Sequence, residues 1–248
     1  MNAPIDIGKN RTGIATSPID APRTIEAAEE ARTAGPLDGK ALEAERVEWA
    51  RSASPVGTVP PPLTVKGAAK TAVELVEGHK PTVFIDKLGQ RLAYERTGVR
   101  LYEALLAKYE AAHVHAGGPS REDIATIRNE EHEHMRLVRE AIEQLGADPT
   151  AITPCADISA VAGLGWVQVL SDPRTTLTQC LDTMLIVESG DLEGWDLLVQ
   201  LASGLGFDEL ADRFLAASEV EEEHQRKIRG WVAQAVIGQS GATKRMKV

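Results

Sequence analysis

Val220-Glu221-Glu222-Glu223-His224-Gln225 sets a glutamate and a histidine three residues apart, and in a helix residues i and i+3 share one face. That face extends through Leu210, Phe214, Ala217, Glu221, His224, Ile228, Trp231 and Ala235, in alternating steps of four and three residues. Such a seam is what a helix buries in a bundle. Here a carboxylate and an imidazole occupy positions that ordinarily hold Leu or Ile. An unpaired charge buried there costs on the order of several kcal/mol. Positive charge is therefore expected opposite it, and a bound metal ion is the simplest source.

Working outward, three more seams share the pattern. The one upstream runs Leu177, Leu181, Met184, Glu188, Asp191, Trp195, Leu198 and Ala202, from a helix expected to start near Pro173. It meets the first across the tight turn Ser203-Gly204-Leu205-Gly206. Glu188 stands about 16 residues before that turn and Glu221 about 15 after it, so antiparallel helices of equal rise bring the two to one height. Further upstream lie Ile124, Ile127, Glu131, His134, Val138, Ala141 and Leu145, behind the capping signal Ser120…Asp123 and ending at Gly146. The earliest seam is Leu88, Leu92, Glu95, Val99, Tyr102, Leu106 and Tyr109, ending near Ala112.

Between the second and third long helices lies a connection from Gly146 to Asp172, apolar enough over Asp157–Leu170 to pack as a short helix. Short, long and short connections describe two antiparallel hairpins joined by a crossover. The crossover must return along roughly 40 Å of bundle, at about 1.5 Å per helical residue. The fold class expected is all-α: an antiparallel four-helix bundle with a long crossover between its second and third helices.

One Glu from each of two helices, with Glu-x-x-His from each of the other two, is the ligand pattern of di-iron and di-manganese carboxylate bundles. On these residues the chain resembles the ferritin-like di-iron proteins of the rubrerythrin and bacterioferritin kind, over about residues 85 to 237. The resemblance implies that Glu131 and Glu221 bridge two metals, with Glu95 and His134 completing one and Glu188 and His224 the other. The cofactor implied is two iron ions, or manganese, or a mixed Mn/Fe pair; carboxylate and imidazole donors suit these metals. Members of the family place a tyrosine where Tyr102 stands and an extra acid where Asp191 stands, so these two are expected to tune or gate the site. Each also has a plainer reading, as a core phenol needing a partner and as a hydrogen-bond partner near the ligands. The whole constellation has one too: buried Glu–His hydrogen bonds with no metal at all.

The activity implied is that of an oxidoreductase reacting with hydrogen peroxide or dioxygen, a rubrerythrin-like peroxidase or a ferroxidase with ferrous iron as substrate. Iron storage, an oxygenase or oxidase acting on an organic substrate, and a metal-stabilised stress protein are the alternatives. No paired CxxC motif is present, so the electron donor is expected to be external. A bacterioferritin would carry a haem-ligating Met where His132 stands, and no fifth helix is recognisable after Ile237, which favours a small oligomer over a cage.

Composition excludes other classes. A formal net charge of −10 argues against a nucleic-acid surface, which needs clustered Lys and Arg. No apolar run approaches a membrane span, and the amino terminus lacks a signal-peptide core. With two cysteines, Cys155 and Cys180, a cytoplasmic protein is expected. His132, Glu130, Glu133, Glu222 and Glu223 fall off the seams and are expected to be solvated. Residues 1–80 read as an irregular, partly helical amino-terminal arm, with short helices over Thr24–Thr33, Lys40–Ser54 and Thr64–Val76. Residues 81–238 form the bundle and 239–248 a tail. A homodimer is expected, with the arm crossing between subunits.

Overall fold

The computed structural model describes residues 17–33, 39–61, 81–112 and 117–242. Among them are seven helices: α1 (Asp20–Thr33), α2 (Lys40–Ser52), α3 (Pro81–Ala111), α4 (Arg121–Gln144), α5 (Pro154–Ser171), α6 (Leu177–Gly204) and α7 (Asp208–Ser240). Among the described residues there is no strand, and no helix is long and apolar enough to cross a membrane. The helices belong to two compact units divided between Val56 and Gly57. The smaller one holds α1 and α2. Ser17 caps α1 by accepting the Asp20 N–H at 3.0 Å, and α2 buries no residue. The short helix expected over Thr64–Val76 lies outside the described residues.

In the larger unit, four long helices share two apolar clusters. One takes Phe84, Leu88 and Leu92 from α3, Val138 and Ala141 from α4, Trp195 and Leu198 from α6, and Leu210 and Phe214 from α7. The other takes Leu101 and Leu105 from α3, Ile124 and Ile127 from α4, Leu181 and Met184 from α6, and Ile228 and Trp231 from α7. These memberships fix the directions. The start of α3 meets the end of α4, and the end of α6 meets the start of α7, so each pair is antiparallel. α4 ends at the first cluster while α6 begins at the second. α5 covers that distance, from Thr153 beside Asp86 to Leu170 in the second cluster, and packs along α3 and α6.

Local chemistry sets the helix boundaries. Ser120 and Asp123 form the expected capping box, the Asp123 N–H donating to Ser120 Oγ at 3.0 Å and the Ser120 N–H to Asp123 Oδ2 at 2.9 Å. Gly146 and Gly206 hold φ of 79° and 75° at the ends of α4 and α6, where residues with a Cβ are disfavoured. α6 starts at Leu177, not near Pro173. Thr176 and Gln179 form a second capping box, and Pro173 lies in the preceding turn, where Asp172 Oδ1 accepts the Arg174 N–H. The crossover is a complete 18-residue helix with Pro154 in its first turn, a position that needs no donor.

All seam positions expected on α4, α6 and α7 are buried. On α3 the seam is corrected. Gly98, Leu101 and Leu105 are buried, while Val99, Leu106 and Tyr109 are only half-buried. The reason is steric: a Cβ at position 98 would collide with the Glu131 carboxylate, so α3 turns a glycine toward α4 at that level.

Candidate metal centre

Between the two apolar clusters lies a layer of polar side chains. α3 contributes Arg91, Glu95 and Tyr102, α4 contributes Glu131 and His134, α6 contributes Glu188 and Asp191, and α7 contributes Glu221 and His224. All nine are buried. The structure thus brings together the six expected ligands, and Tyr102 and Asp191 with them. Donor atoms from Glu131, Glu188, Glu221 and His224 lie within 4.8 Å of one another, and the same holds for Glu95, His134 and Glu221. A third set joins Glu95, Glu131, Asp191 and Glu221. Glu221 belongs to all three.

The imidazoles face inward. His134 Nδ1 lies 2.6 Å from Glu221 Oε1, and His224 Nδ1 lies 3.1 Å from Glu221 Oε2. Glu131 Oε1 and Glu188 Oε2 stand 3.6 and 3.7 Å from the same His224 atom. The Tyr102 hydroxyl donates to Glu188 Oε1. Even so, among the described residues both oxygens of Glu95 and of Glu131, and one each of Glu188, Asp191 and Glu221, have no aligned hydrogen-bond donor. Of these seven, Glu95 Oε1 and Asp191 Oδ1 still face Arg91 at 3.1 and 2.8 Å and Glu221 Oε1 faces His134 at 2.6 Å. Glu95 Oε2, both Glu131 oxygens and Glu188 Oε2 have no neighbour that close, and since buried polar atoms ordinarily find partners, these four fit bound cations. Five carboxylates against one guanidinium leave four negative charges when all are ionised, which two divalent ions neutralise.

With protons alone available, the acids respond unequally. Burial, reinforced by Asp191, pushes the Glu95 carboxyl well above its ordinary range; burial reinforced by Glu221 does the same for Glu131 and Glu188. Burial also raises Asp191, but Arg91 pulls back, leaving it at about 7. Glu221 goes the other way: burial is outweighed by hydrogen bonds from His134 and His224, which hold it at about 2. Burial works against a charged His224 ring, yet Glu221 and its neighbours raise it to about 9. Burial and Glu188 keep the Tyr102 phenol protonated, hence a donor.

No family model, curated protein or solved structure matches the chain. What the layer can do therefore rests on its own chemistry. Its oxygen and imidazole donors, with no thiolate among them, could hold a divalent metal ion.

Two residues of the site were not singled out from the sequence. Glu130, expected to be solvated, lies with Oε2 2.8 Å from His224 Nε2 and accepts from it when that nitrogen carries the proton. It thereby fixes the ring so that Nδ1 points into the cluster. Only adjacency to Glu131 could have signalled this. Arg91 is buried against Asp191, with Nη1 2.8 Å from Oδ1 and 2.7 Å from the main-chain oxygen, and its Nε lies 3.1 Å from Glu95 Oε1. Its signal was spacing: it precedes Glu95 by four residues, on the buried side of α3. The other off-seam polar residues behave as expected. His132 and Glu222 are exposed, while Glu133 pairs with Arg136 and Glu223 with Arg226. Trp195 and Trp231 are core residues, and the Trp195 ring meets His134 edge-on at 5.3 Å.

Proposed function

We propose that this chain is a ferritin-like dinuclear metal protein of the rubrerythrin and bacterioferritin kind, an oxidoreductase acting on hydrogen peroxide or dioxygen with iron or manganese. The observation that carries this reading is the buried layer of five carboxylates and two inward-facing imidazoles, with oxygens left unmatched. Glu131 and Glu221 are read as shared between the two ions, Glu95 and His134 as completing one set, and Glu188 and His224 the other.

Bound there, two redox-active ions would supply the electrons and open positions for reduction of the oxidant. The chain's own residues do the rest. Tyr102 donates to Glu188 and so orients its free oxygen toward the cluster. Glu130 holds His224 by its outer nitrogen. The apolar clusters above and below exclude bulk water, which keeps the electrostatics of the layer strong. Cys155 and Cys180 are separate free thiols and form no electron-transfer module, so the reductant is read as a separate donor, in a reducing cytoplasm.

A homodimer is part of this reading. Beyond Asp157 no residue of α5 is charged, and Ile158, Val161 and Leu164 on it are more than half exposed. A helix apolar on all sides is normally covered. A second copy is the fitting cover: chains of formal net charge −10 can approach each other best where charge is missing, whereas an anionic membrane would repel them.

The test is metal analysis of protein loaded anaerobically with ferrous iron and desalted, wild type beside Glu131→Ala/His224→Ala. Two irons per wild-type chain with clear loss in the variant is the expected result, followed by rapid oxidation on mixing with peroxide or dioxygen. Failure to retain iron or manganese would sink the reading and leave the layer as hydrogen-bonded core.

A further inference from the structure

The two halves of the layer are not built alike. Glu131, Glu188, Glu221 and His224 converge with no guanidinium or ammonium among them. Glu95, in the other half, already faces a cation: Arg91 Nε lies 3.1 Å from its Oε1, and Arg91 Nη1 holds Asp191 at both its carboxylate and its main-chain oxygen. The guanidinium is wedged in place. Its carbon lies 4.3 Å from the centre of the Tyr94 ring and 5.8 Å from that of Trp195. Across from it stands Gly194, where a Cβ would collide with Nη1. Arginine remains charged in any protein environment, and at this depth it has no water to move into.

A divalent ion held by Glu95, His134 and Glu221 would therefore sit beside a fixed positive charge. Like charges repel more strongly in a desolvated interior than in water. The same half also borders the outside. A surface cavity of about 360 Å³ between α4 and α7 has His134 itself in its lining, beside Leu137, Ala217, Glu140 and Arg213, whereas His224 is fully buried and only its partner Glu130 reaches solvent.

Resting on the dinuclear reading above, we propose that Arg91 is a resident cation of the Glu95 half. That half binds its ion more weakly than the Glu188–His224 half and exchanges it through the cavity beside His134. Arg91 is in this sense a positioning residue. It sets the inequality of the two positions and keeps Asp191 occupied with a guanidinium instead of an ion.

The experiment is an anaerobic titration of the full-length apoprotein with Co²⁺, followed by calorimetry and by the visible absorption of bound cobalt. Two resolved steps are expected in the wild type, with dissociation constants at least tenfold apart. Arg91→Met should tighten the weaker step tenfold or more, and Arg91→Lys should restore the separation. His134→Ala should abolish the weaker step and leave the stronger, while His224→Ala should do the reverse. Those two variants decide the matter even if Arg91→Met does not fold, which circular dichroism would reveal. Two equal steps in the wild type, or a folded Arg91→Met with the separation unchanged, would overturn the proposal and leave the dinuclear reading standing. No cobalt binding at all would overturn both.

Discussion

At the scale of the residue, the layer that could hold metal ions is also a proton store. Glu95, Glu131 and Glu188 are raised in the fold chiefly by burial, and Asp191 to about 7 from an ordinary 3.8. The folded apoprotein therefore binds more protons than the unfolded chain above the ordinary carboxyl range, and stability falls as pH rises. His224 acts in the same direction: its contribution is complete below 6.5 and is lost as pH rises through about 9. Glu221 opposes them only in acid, where its contribution is lost as pH falls through about 2. The melting temperature of the apoprotein should therefore decline from pH 5 to pH 9. With divalent ions bound in place of the protons, the decline should flatten. A melting temperature that climbs over this range in the apoprotein would contradict the assignment.

At the scale of the element, boundaries follow capping chemistry more than composition. α6 begins where Thr176 and Gln179 exchange hydrogen bonds with each other's N–H groups at 3.2 and 2.9 Å, four residues after the proline that suggested an earlier start. Thr176→Ala should lower stability by about 1 kcal/mol, a drop of roughly 2–4 °C in a chain of this size, and Pro173→Ala by less. Thermal melting of the two variants makes the comparison, and a reversed order would place the boundary at the proline. The four seams were legible because Glu and His interrupted otherwise apolar steps of three and four, a contrast one helix shows without its neighbours. The spacing of Arg91 to Glu95 hinted at burial, but the roles of Arg91 and Glu130 were not legible, because each comes from a helix far away in sequence: Arg91 from Asp191 on α6, Glu130 from His224 on α7. The α3 seam slipped at position 98 for the same reason. Only the Glu131 carboxylate on α4 explains the glycine.

At the scale of the whole molecule, the long crossover was readable from connection lengths, since antiparallel hairpins joined in parallel need a chain that returns along the bundle. Its outer surface was not readable, because an apolar helix gives no sign of which side a neighbour covers. Ile158, Val161 and Leu164 are 52%, 63% and 59% exposed, an apolar strip of the kind that marks an interaction surface. Val161→Glu places a charge in its middle, away from the buried carboxylate layer. It should halve the mass observed by sedimentation while leaving metal stoichiometry unchanged. A wild type that sediments as a monomer would remove the dimer from the functional reading.

The dispersal of ligands over four helices also orders events during synthesis. Glu130 and the His224 it orients are 94 residues apart, roughly 5–20 s of translation at typical rates. For all but the last three residues of that interval the growing chain lacks Glu221, the one carboxylate common to all three donor sets. A nascent chain can display acidic helices but has no finished layer, so on the dinuclear reading proposed above ions would enter only after α7 has been made.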